Sequence, residues 1–250
     1  MIGKIIGGTL KGFTQVIADP ALRRILWKTL ALSVLAYAVV FGLSWFLVDY
    51  FLNVDVSWLP DWALDWVRGF LETSVVLSII GVMWIMFPAV FTGLASIFLD
   101  DAALAVERRH YPQDPPGTEP ALVPSIRRSV LFTLLVIGIN ILLLPIYLIG
   151  LFIPPLNLVL YYGINGYFLG REYFELIGFR HLHDEDAVYG ARRRNGTTSL
   201  MSGAWIAFGL TIPFLNLLVP VVAAAMMVHI YKELERRGRI TRVGNTGATS

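Results

Sequence analysis

The chain has 250 residues, of which 56% are hydrophobic and only 15% are charged, and its mean hydropathy is +0.66. A soluble domain of this length needs more charged side chains to keep its helix faces in water, so this composition predicts an all-α integral membrane protein. The absence of cysteine excludes disulfides, thiolate metal sites and cysteine nucleophiles. The formal net charge of +2 says little, but the basic residues flank apolar runs as topology signals, so no nucleic-acid partner is expected.

Two apolar segments, about 29–48 and 75–99, predict transmembrane helices. Bulky side chains such as Trp45 and Phe46 end the first segment, which therefore resembles a retained helix rather than a cleaved signal peptide. The segment 49–72 between them carries five acidic residues and one basic residue. The other loops and both ends of the chain carry most of the Lys and Arg, so the positive-inside rule predicts cytoplasmic N- and C-termini.

Two segments predict short helices that lie in the membrane interface. Trp62, Trp66 and Phe70 recur every four residues, which places the three rings on one face of a helix. Such a face suits either the outer membrane interface or packing against the protein, and the sequence leaves both open. Residues 2–16 predict a similar helix on the inner surface.

One hexapeptide pattern, Ile-Pro-x-Leu-Asn-Leu, occurs at 153–158 and again at 212–217. Each copy lies within a charge-free run, 129–170 or 195–228. Proline breaks a helix and asparagine favours the start of a new one, so each copy predicts a turn between two helices. Irregular backbone within the membrane is tolerated only where protein or water satisfies its polar groups, and it commonly marks a functional site.

The two turns predict helical hairpins at about 130–170 and 199–231, both of which start and end beside cytoplasmic basic residues. The arms of the second hairpin contain 14 and 15 residues, which reach roughly 21–23 Å against a hydrocarbon core of about 30 Å. Both hairpins are therefore predicted to be re-entrant, entering the membrane and returning without crossing it. The first arm of the first hairpin is longer, and Pro145 leaves open whether it is broken.

Asn157 and Asn216 are predicted to cap the returning half-helices near mid-membrane. A helix N-terminus carries free N–H groups and about half a positive charge, so two such ends at similar depth suit the path of an anion. The alternative is that both turns are tight and internally satisfied, with no ion nearby.

Arg23 and Arg24 lie just before the first predicted transmembrane helix, within the segment 20–24. Two adjacent guanidinium groups suit a tetrahedral oxyanion, which they bind through charge-assisted hydrogen bonds. Positive-inside anchoring or contact with lipid headgroups is the alternative interpretation.

The polar segment 181–186 and His229 lack the spacing of a metal site, so we interpret the first as a solvated loop and the second as a satisfied polar residue. No catalytic motif is present: Ser202 followed by His229 lacks the pattern of an intramembrane serine protease. The sequence therefore predicts no enzyme, no metal and no cofactor.

Three stretches together, 20–24, 98–112 and 166–175, resemble the CysZ-type sulfate permeases and the wider etoposide-induced-protein-like membrane family. The resemblance covers about 11–237 and implies a bacterial inner-membrane protein that supplies sulfate to cysteine biosynthesis. It also implies two transmembrane helices, two hemi-penetrating helix pairs and a homo-oligomer. Sulfate would be bound by Leu22, Arg23 and Arg24, although Ala21 stands where the family has glycine.

We therefore expect one membrane domain at 1–237 and a flexible cytoplasmic tail at 238–250. The predicted partners are sulfate or a similar oxyanion, the lipid bilayer and further copies of the chain. The predicted function is sulfate transport, and a non-transporting membrane scaffold or lipid-organising protein is the alternative.

Overall fold

The computed structural model describes residues 2–52, 60–120, 122–182 and 184–241. Within these ranges the protein is all-helical, as predicted. Its α-helices are α1 (Ile2–Ala18), α2 (Pro20–Leu52), α3 (Asp61–Ser96), α4 (Leu99–His110), α5 (Leu122–Gly150), α6 (Pro154–His181), α7 (Glu185–Arg194), α8 (Gly196–Leu210) and α9 (Val219–Arg236). Most of the predicted tail, 242–250, lies outside the described residues, as does 53–59 in the predicted outer loop.

Three of these helices are long and apolar enough to cross a membrane, over Pro20–Phe46, Asp65–Ser96 and Pro124–Gly150. The first two cover most of the predicted transmembrane segments 29–48 and 75–99. The third is α5, the longer arm of the first predicted hairpin. Pro145 lies inside α5 without ending it, so this arm is one continuous helix of 29 residues. Membrane helices tolerate such a proline when neighbouring groups satisfy the freed carbonyl.

The prediction of a separate short interfacial helix around Trp62 and Trp66 is wrong. Trp62, Trp66 and Phe70 belong to α3, which runs from Asp61 to Ser96 without a break. The Trp66 and Phe70 rings stack with centroids 6.3 Å apart, and the three side chains are exposed. A single glycine, Gly69, disfavours the helical conformation too weakly to separate residues 61–70 from the apolar helical segment that follows.

The chain forms two compact units, one of residues 26–97 and one of residues 1–25 with 98–250. The first unit consists of most of α2 and all of α3. The Tyr37 ring of α2 lies 5.5 Å from the Phe87 ring of α3, measured between centroids. Most of the remaining large apolar side chains of both helices are exposed, as lipid-facing helices require.

Helix α9 is the core of the second unit, with α1, α4 and α6 packed against it. Every residue from 219 to 228 is buried. Gly12 of α1 permits a close approach, because a Cβ there would lie 3.0 Å from the Val222 carbonyl oxygen. Burial in protein is thus sufficient to explain the apolar sequence of α9, and lipid contact is not needed for it.

Small residues permit a close approach between α6 and α8. A Cβ added at Gly170 would meet the Ser199 carbonyl, and one at Gly203 would meet the backbone of Gly166 and Gly170. The spacing Gly-x-x-x-Gly on α6 therefore faces Ser-x-x-x-Gly on α8. This pattern is typical of membrane helices whose backbones touch.

Ion pairs close the base of the α5–α6 hairpin. Arg128 lies 3.0 Å from Glu185, which follows α6, and Arg127 lies 3.6 Å from the same carboxylate. The Arg128 guanidinium also stacks 3.9 Å from the Phe179 ring centroid. The start of α5 and the end of α6 consequently lie on the same side, as a hairpin requires.

The predicted helix caps are wrong in position. Helix α6 begins at Pro154 with Ile153 as its N-cap, so Asn157 already lies inside the helix. Asn216 lies in a single 3-10 turn at Leu215–Leu217, before α9 begins. Prolines occupy the first turns of α6 and α9, because proline has the φ of a helix and no N–H to leave unpaired there.

A buried ionic network fixes α4 against α6. Glu107 accepts hydrogen bonds from Arg180 at 3.2 Å and from His181 at 3.1 Å, and all three side chains are 1% exposed. Arg180 also pairs with Asp100 at 2.9 Å. The backbone N–H of Gly117 donates to Glu107 at 2.9 Å, which ties the loop after α4 to the same carboxylate.

Candidate functional site

The joint between α1 and α2 carries the predicted oxyanion motif. Asp19 separates the two helices, and Pro20 opens α2. The Asp19 Oδ1 atom accepts a hydrogen bond from the Ala21 N–H at 2.9 Å, as a helix-capping aspartate does. The Ala21 N–H, two residues before Arg23, is therefore already satisfied by a carboxylate.

The three predicted sulfate-binding residues lie in the first turns of α2 but differ in exposure. Leu22 is 0% exposed, so its side chain anchors the helix in the protein, and its predicted part in sulfate binding stays a prediction. Arg23 and Arg24 are exposed. Neither guanidinium has a hydrogen bond or ion pair with any residue in the part of the chain that the structure describes.

A third arginine, which the sequence reasoning missed, joins this motif from α4. The Nη1 atom of Arg109 lies 3.1 Å from Oδ2 of Asp19, and Arg109 remains half exposed. The sequence could have indicated Arg109 as a candidate, because it lies in the 98–112 stretch that carries the family resemblance. It could not show that Arg109 pairs with Asp19, which is 90 positions away. We refer to Arg23, Arg24 and Arg109 as the basic cluster.

The charges of the basic cluster outnumber the one carboxylate within it. Arg109 neutralises Asp19, which leaves the positive charges of Arg23 and Arg24 uncompensated within the described residues. His110 adds no further charge at neutral pH, because burial and the neighbouring Arg109 lower its pKa. The arrangement suits reversible binding of an oxyanion by side chains rather than by backbone amides.

The two asparagines of the repeated turns are half-buried, and neither lies beside the basic cluster in the sequence. The Asn157 amide lies against Gly150, where a Cβ would meet its Oδ1 atom. Glycine at the end of α5 thus makes room for Asn157 across the turn. A role of Asn157 and Asn216 in an anion path stays a prediction.

His229 is a satisfied polar residue, which confirms the interpretation from sequence. Its Nδ1 lies 2.7 Å from the Tyr111 hydroxyl, and its Nε2 lies 3.1 Å from Gln15 Oε1. Burial, followed by electrostatic interaction with His110 and Lys11, lowers the His229 pKa to about 4. The ring is therefore neutral at pH 7 and links α1, α4 and α9.

The interpretation of 181–186 as a solvated loop is wrong at its first residue. His181 ends α6 and is buried against Glu107, whereas Asp184 caps α7 by accepting the Ala187 N–H at 3.0 Å. His183 lies outside the described residues. Among the side chains that the structure describes, no group of three His, Asp or Glu residues is arranged to hold a metal ion.

Comparison with known proteins gives one match. A family model described as sulfate transporter CysZ/etoposide-induced protein 2.4 matches residues 9–220. No individual curated protein matches the chain. The match and the three apolar helices together show a multi-pass membrane protein of a transporter-type family. The chain belongs to the sulfate transporter CysZ/etoposide-induced protein 2.4 family.

Proposed function

We propose that this protein transports sulfate or a similar oxyanion across the bacterial inner membrane and supplies sulfur for cysteine biosynthesis. The observation that carries the proposal is the pair of exposed guanidinium groups at Arg23 and Arg24, which have no carboxylate partner among the described residues. Two such groups capture a tetrahedral oxyanion through several charge-assisted hydrogen bonds. The family's description as a sulfate transporter supports this choice of anion.

The proposed topology has α2 and α3 crossing the membrane, with both termini in the cytoplasm. The α5–α6 and α8–α9 pairs enter from the cytoplasmic side and return to it. In α6, the apolar part before Arg171 has 17 residues and reaches about 25 Å, less than the roughly 30 Å hydrocarbon core. The ion pairs at the base of the α5–α6 hairpin support a return to the same side.

The basic cluster would act at the entrance of the transport path. Because Asp19 already accepts the Ala21 N–H, that amide is not free for the anion, which is instead held by arginine side chains. Capture by side chains would not require the glycine of the family pattern. Side-chain capture also permits release, because long arginine side chains reorient easily.

Labelled-sulfate uptake into liposomes that contain the purified full-length protein tests the proposal. We expect uptake above that of empty liposomes, and a loss of about tenfold or more in Arg23→Gln/Arg24→Gln, since each charge-assisted hydrogen bond contributes about 1.5–3 kcal/mol. The matched control is Arg108→Gln/Arg193→Gln, which also removes two exposed arginines. It should keep normal uptake.

Three results would count against transport by this site. Absence of protein-dependent flux under sulfate, proton and sodium gradients would favour the scaffold function instead. An equal loss in both double variants would show a general effect of surface charge. Flux of chloride as fast as that of sulfate would remove the oxyanion assignment. Cross-linking of the protein in native membranes would test the proposed homo-oligomer separately.

A further inference from the structure

The two copies of the repeated pattern fold differently, although five of their six residues are identical. We call 153–158 the first hexapeptide and 212–217 the second hexapeptide. In the first, helix α6 begins at the proline, Pro154. In the second, the equivalent Pro213 lies outside any helix, and α9 begins six residues later at Val219. The same pattern therefore has two backbone conformations in one chain.

The two conformations diverge at one hydrogen bond. In both copies the isoleucine N–H donates to the carbonyl of the glycine three residues earlier, at 3.2 Å. The N–H of Leu156 in the first hexapeptide then donates to the Ile153 carbonyl at 2.9 Å. The equivalent N–H in the second hexapeptide, that of Leu215, donates instead to the Pro213 carbonyl at 2.8 Å. A bond between residues two apart closes a γ-turn, which is centred here on Phe214.

The γ-turn places Phe214 in a strained backbone conformation. Its φ is +64°, and it is the one non-glycine residue with positive φ in the part of the chain that the structure describes. Residues with a Cβ rarely adopt this conformation, whereas glycine adopts it freely. The first hexapeptide cannot adopt it, because Pro155 stands in the equivalent position and its ring fixes φ at about −65°. This single difference in sequence explains why the first copy forms no γ-turn.

Rotation of one peptide plane would relieve this strain without moving a helix. Turning the plane between Pro213 and Phe214 by about 180° makes the φ of Phe214 negative. Pro213 accommodates the change, because its ring fixes φ but not ψ. The N–H of Leu215 is then left to the Ile212 carbonyl, which is the hydrogen bond that the first hexapeptide makes.

Opposing contributions of similar size act on the two orientations of this plane. The γ-turn gives the Leu215 N–H an acceptor of its own but strains Phe214. In the rotated orientation the strain is gone, but the Ile212 carbonyl already accepts the Asn216 N–H at 3.0 Å, so the two amides share one acceptor. Backbone strain of this kind and a single hydrogen bond contribute free energies of the same order. Such a balance allows both orientations in the folded protein.

Little protein packing holds the tip of this hairpin in place. Phe214 is 78% exposed. A cavity of about 120 Å³ lies beside the second hexapeptide between α1, α8 and α9, and Ile212, Leu215 and Val219 are among its apolar lining residues. Protein interiors hold few voids larger than a water molecule, so this space leaves room for the backbone to rearrange.

We propose that the peptide plane between Pro213 and Phe214 flips between these two orientations and gates the anion path at the tip of the α8–α9 hairpin. In the γ-turn, the Pro213 carbonyl oxygen lies beside the Leu215 N–H and repels an anion, so this is the closed state. After the flip the Phe214 N–H takes the place of the carbonyl. Two successive N–H groups then point the same way, a backbone arrangement that attracts anions. The gating rests on the proposed transport function, whereas the flip itself does not.

Nuclear magnetic resonance tests the flip independently of transport. The chain contains one Pro-Phe and one Pro-Leu dipeptide, at 213–214 and at 155–156. Proline labelled with ¹³C at its carbonyl, combined with ¹⁵N-phenylalanine or ¹⁵N-leucine, therefore gives one amide signal from each hexapeptide in the purified full-length protein. We expect relaxation dispersion on the microsecond-to-millisecond timescale at Phe214 and none at Leu156, where proline prevents the γ-turn. Flat profiles at both amides, or the same dispersion at both, would overturn the flip.

Labelled-sulfate uptake into liposomes tests the gate. Phe214→Gly removes the strain, so it favours the closed γ-turn and should lower uptake at least about fivefold. Phe214→Ala is the matched control, because it removes the same ring but keeps a Cβ and therefore the strain, and it should keep normal uptake. Equal uptake by the two variants would contradict the gate. Absence of uptake by the wild type would refute the proposed transport function and the gate with it, while the resonance experiment still decides the flip.

Discussion

Replacing Glu107 by Gln removes the carboxylate that Arg180 and His181 share, while the side chain keeps nearly the same size. Glu107 and Arg180 are each 1% exposed, so the substitution leaves a buried guanidinium with Asp100 as its remaining carboxylate. Breaking a buried ion pair from one side costs about 3–5 kcal/mol. The retained Asp100 contact places the expected loss near the lower end of this range.

The pKa of Glu107 gives a second measure of the same interaction. Burial raises this pKa, but hydrogen bonds from His181 and Arg180, the charge of Arg180 and the Gly117 N–H together lower it from 4.5 to about 2. This difference corresponds to about 3 kcal/mol. Because the folded-state pKa is lowered, the stabilisation is present above pH 4.5 and is lost as the pH falls towards 2.

Unfolding in mixed micelles of dodecyl sulfate and a mild detergent, followed by circular dichroism, measures the free energy of unfolding. At pH 7 we expect Glu107→Gln to lower it by about 3 kcal/mol, and Glu119→Gln, at an exposed site, to change it by less than about 0.5 kcal/mol. The difference between wild type and Glu107→Gln should shrink between pH 4.5 and 2. A loss below about 1 kcal/mol, or a difference that persists at pH 2, would refute the reasoning.

Other substitutions test the packing, the buried histidine and the basic cluster. Gly203→Ala places a methyl group against the Gly166 backbone and should destabilise the protein by about 1–3 kcal/mol in the same unfolding assay, whereas Gly163→Ala has free space and should not destabilise it. Burial lowers the pKa of His229 to about 4, so wild type loses stability as the pH falls from 6.5 to 4. His229→Gln should lose less over that window, and an unchanged pH profile would contradict this. Asp19→Asn removes the one carboxylate of the basic cluster and should tighten sulfate binding about two- to fivefold by calorimetry, since water reaches the half-exposed Arg109 and limits the pair to about 0.5–1 kcal/mol; weaker binding would argue against the cluster.

Hydropathy and charge were sufficient to locate two of the three helices that are long and apolar enough to cross a membrane. The predicted segments 29–48 and 75–99 lie largely within α2 and α3, because a long charge-free run has few alternatives to a lipid-facing helix. The two repeated turns also lie where the sequence placed them, between α5 and α6 and between α8 and α9. Proline and the short polar residues beside it are local signals, which need no knowledge of distant contacts.

The details of these turns were harder to predict. Asparagine is a common N-cap, but at both turns a proline lies in the first turn of the helix that follows. Asn157 lies inside α6, and Asn216 lies in the 3-10 turn before α9. The sequence contains both the asparagine and the proline signal, and it does not show which of them determines where the helix begins. The prediction of a separate helix around Trp66 was wrong for a related reason, because amphipathic spacing does not show whether a helix ends before the next apolar run.

The sequence by itself determined that this is an all-helical membrane protein with two hairpin turns and an arginine pair at the start of α2. Only the tertiary structure decided that residues 219–228 are buried in protein, because an apolar helix has the same composition in a protein core as in lipid. The tertiary structure also paired Arg109 with Asp19 and Arg180 with Glu107. These partners are 90 and 73 residues apart, so only the packing of α1, α4, α6 and α9 brings their charges together.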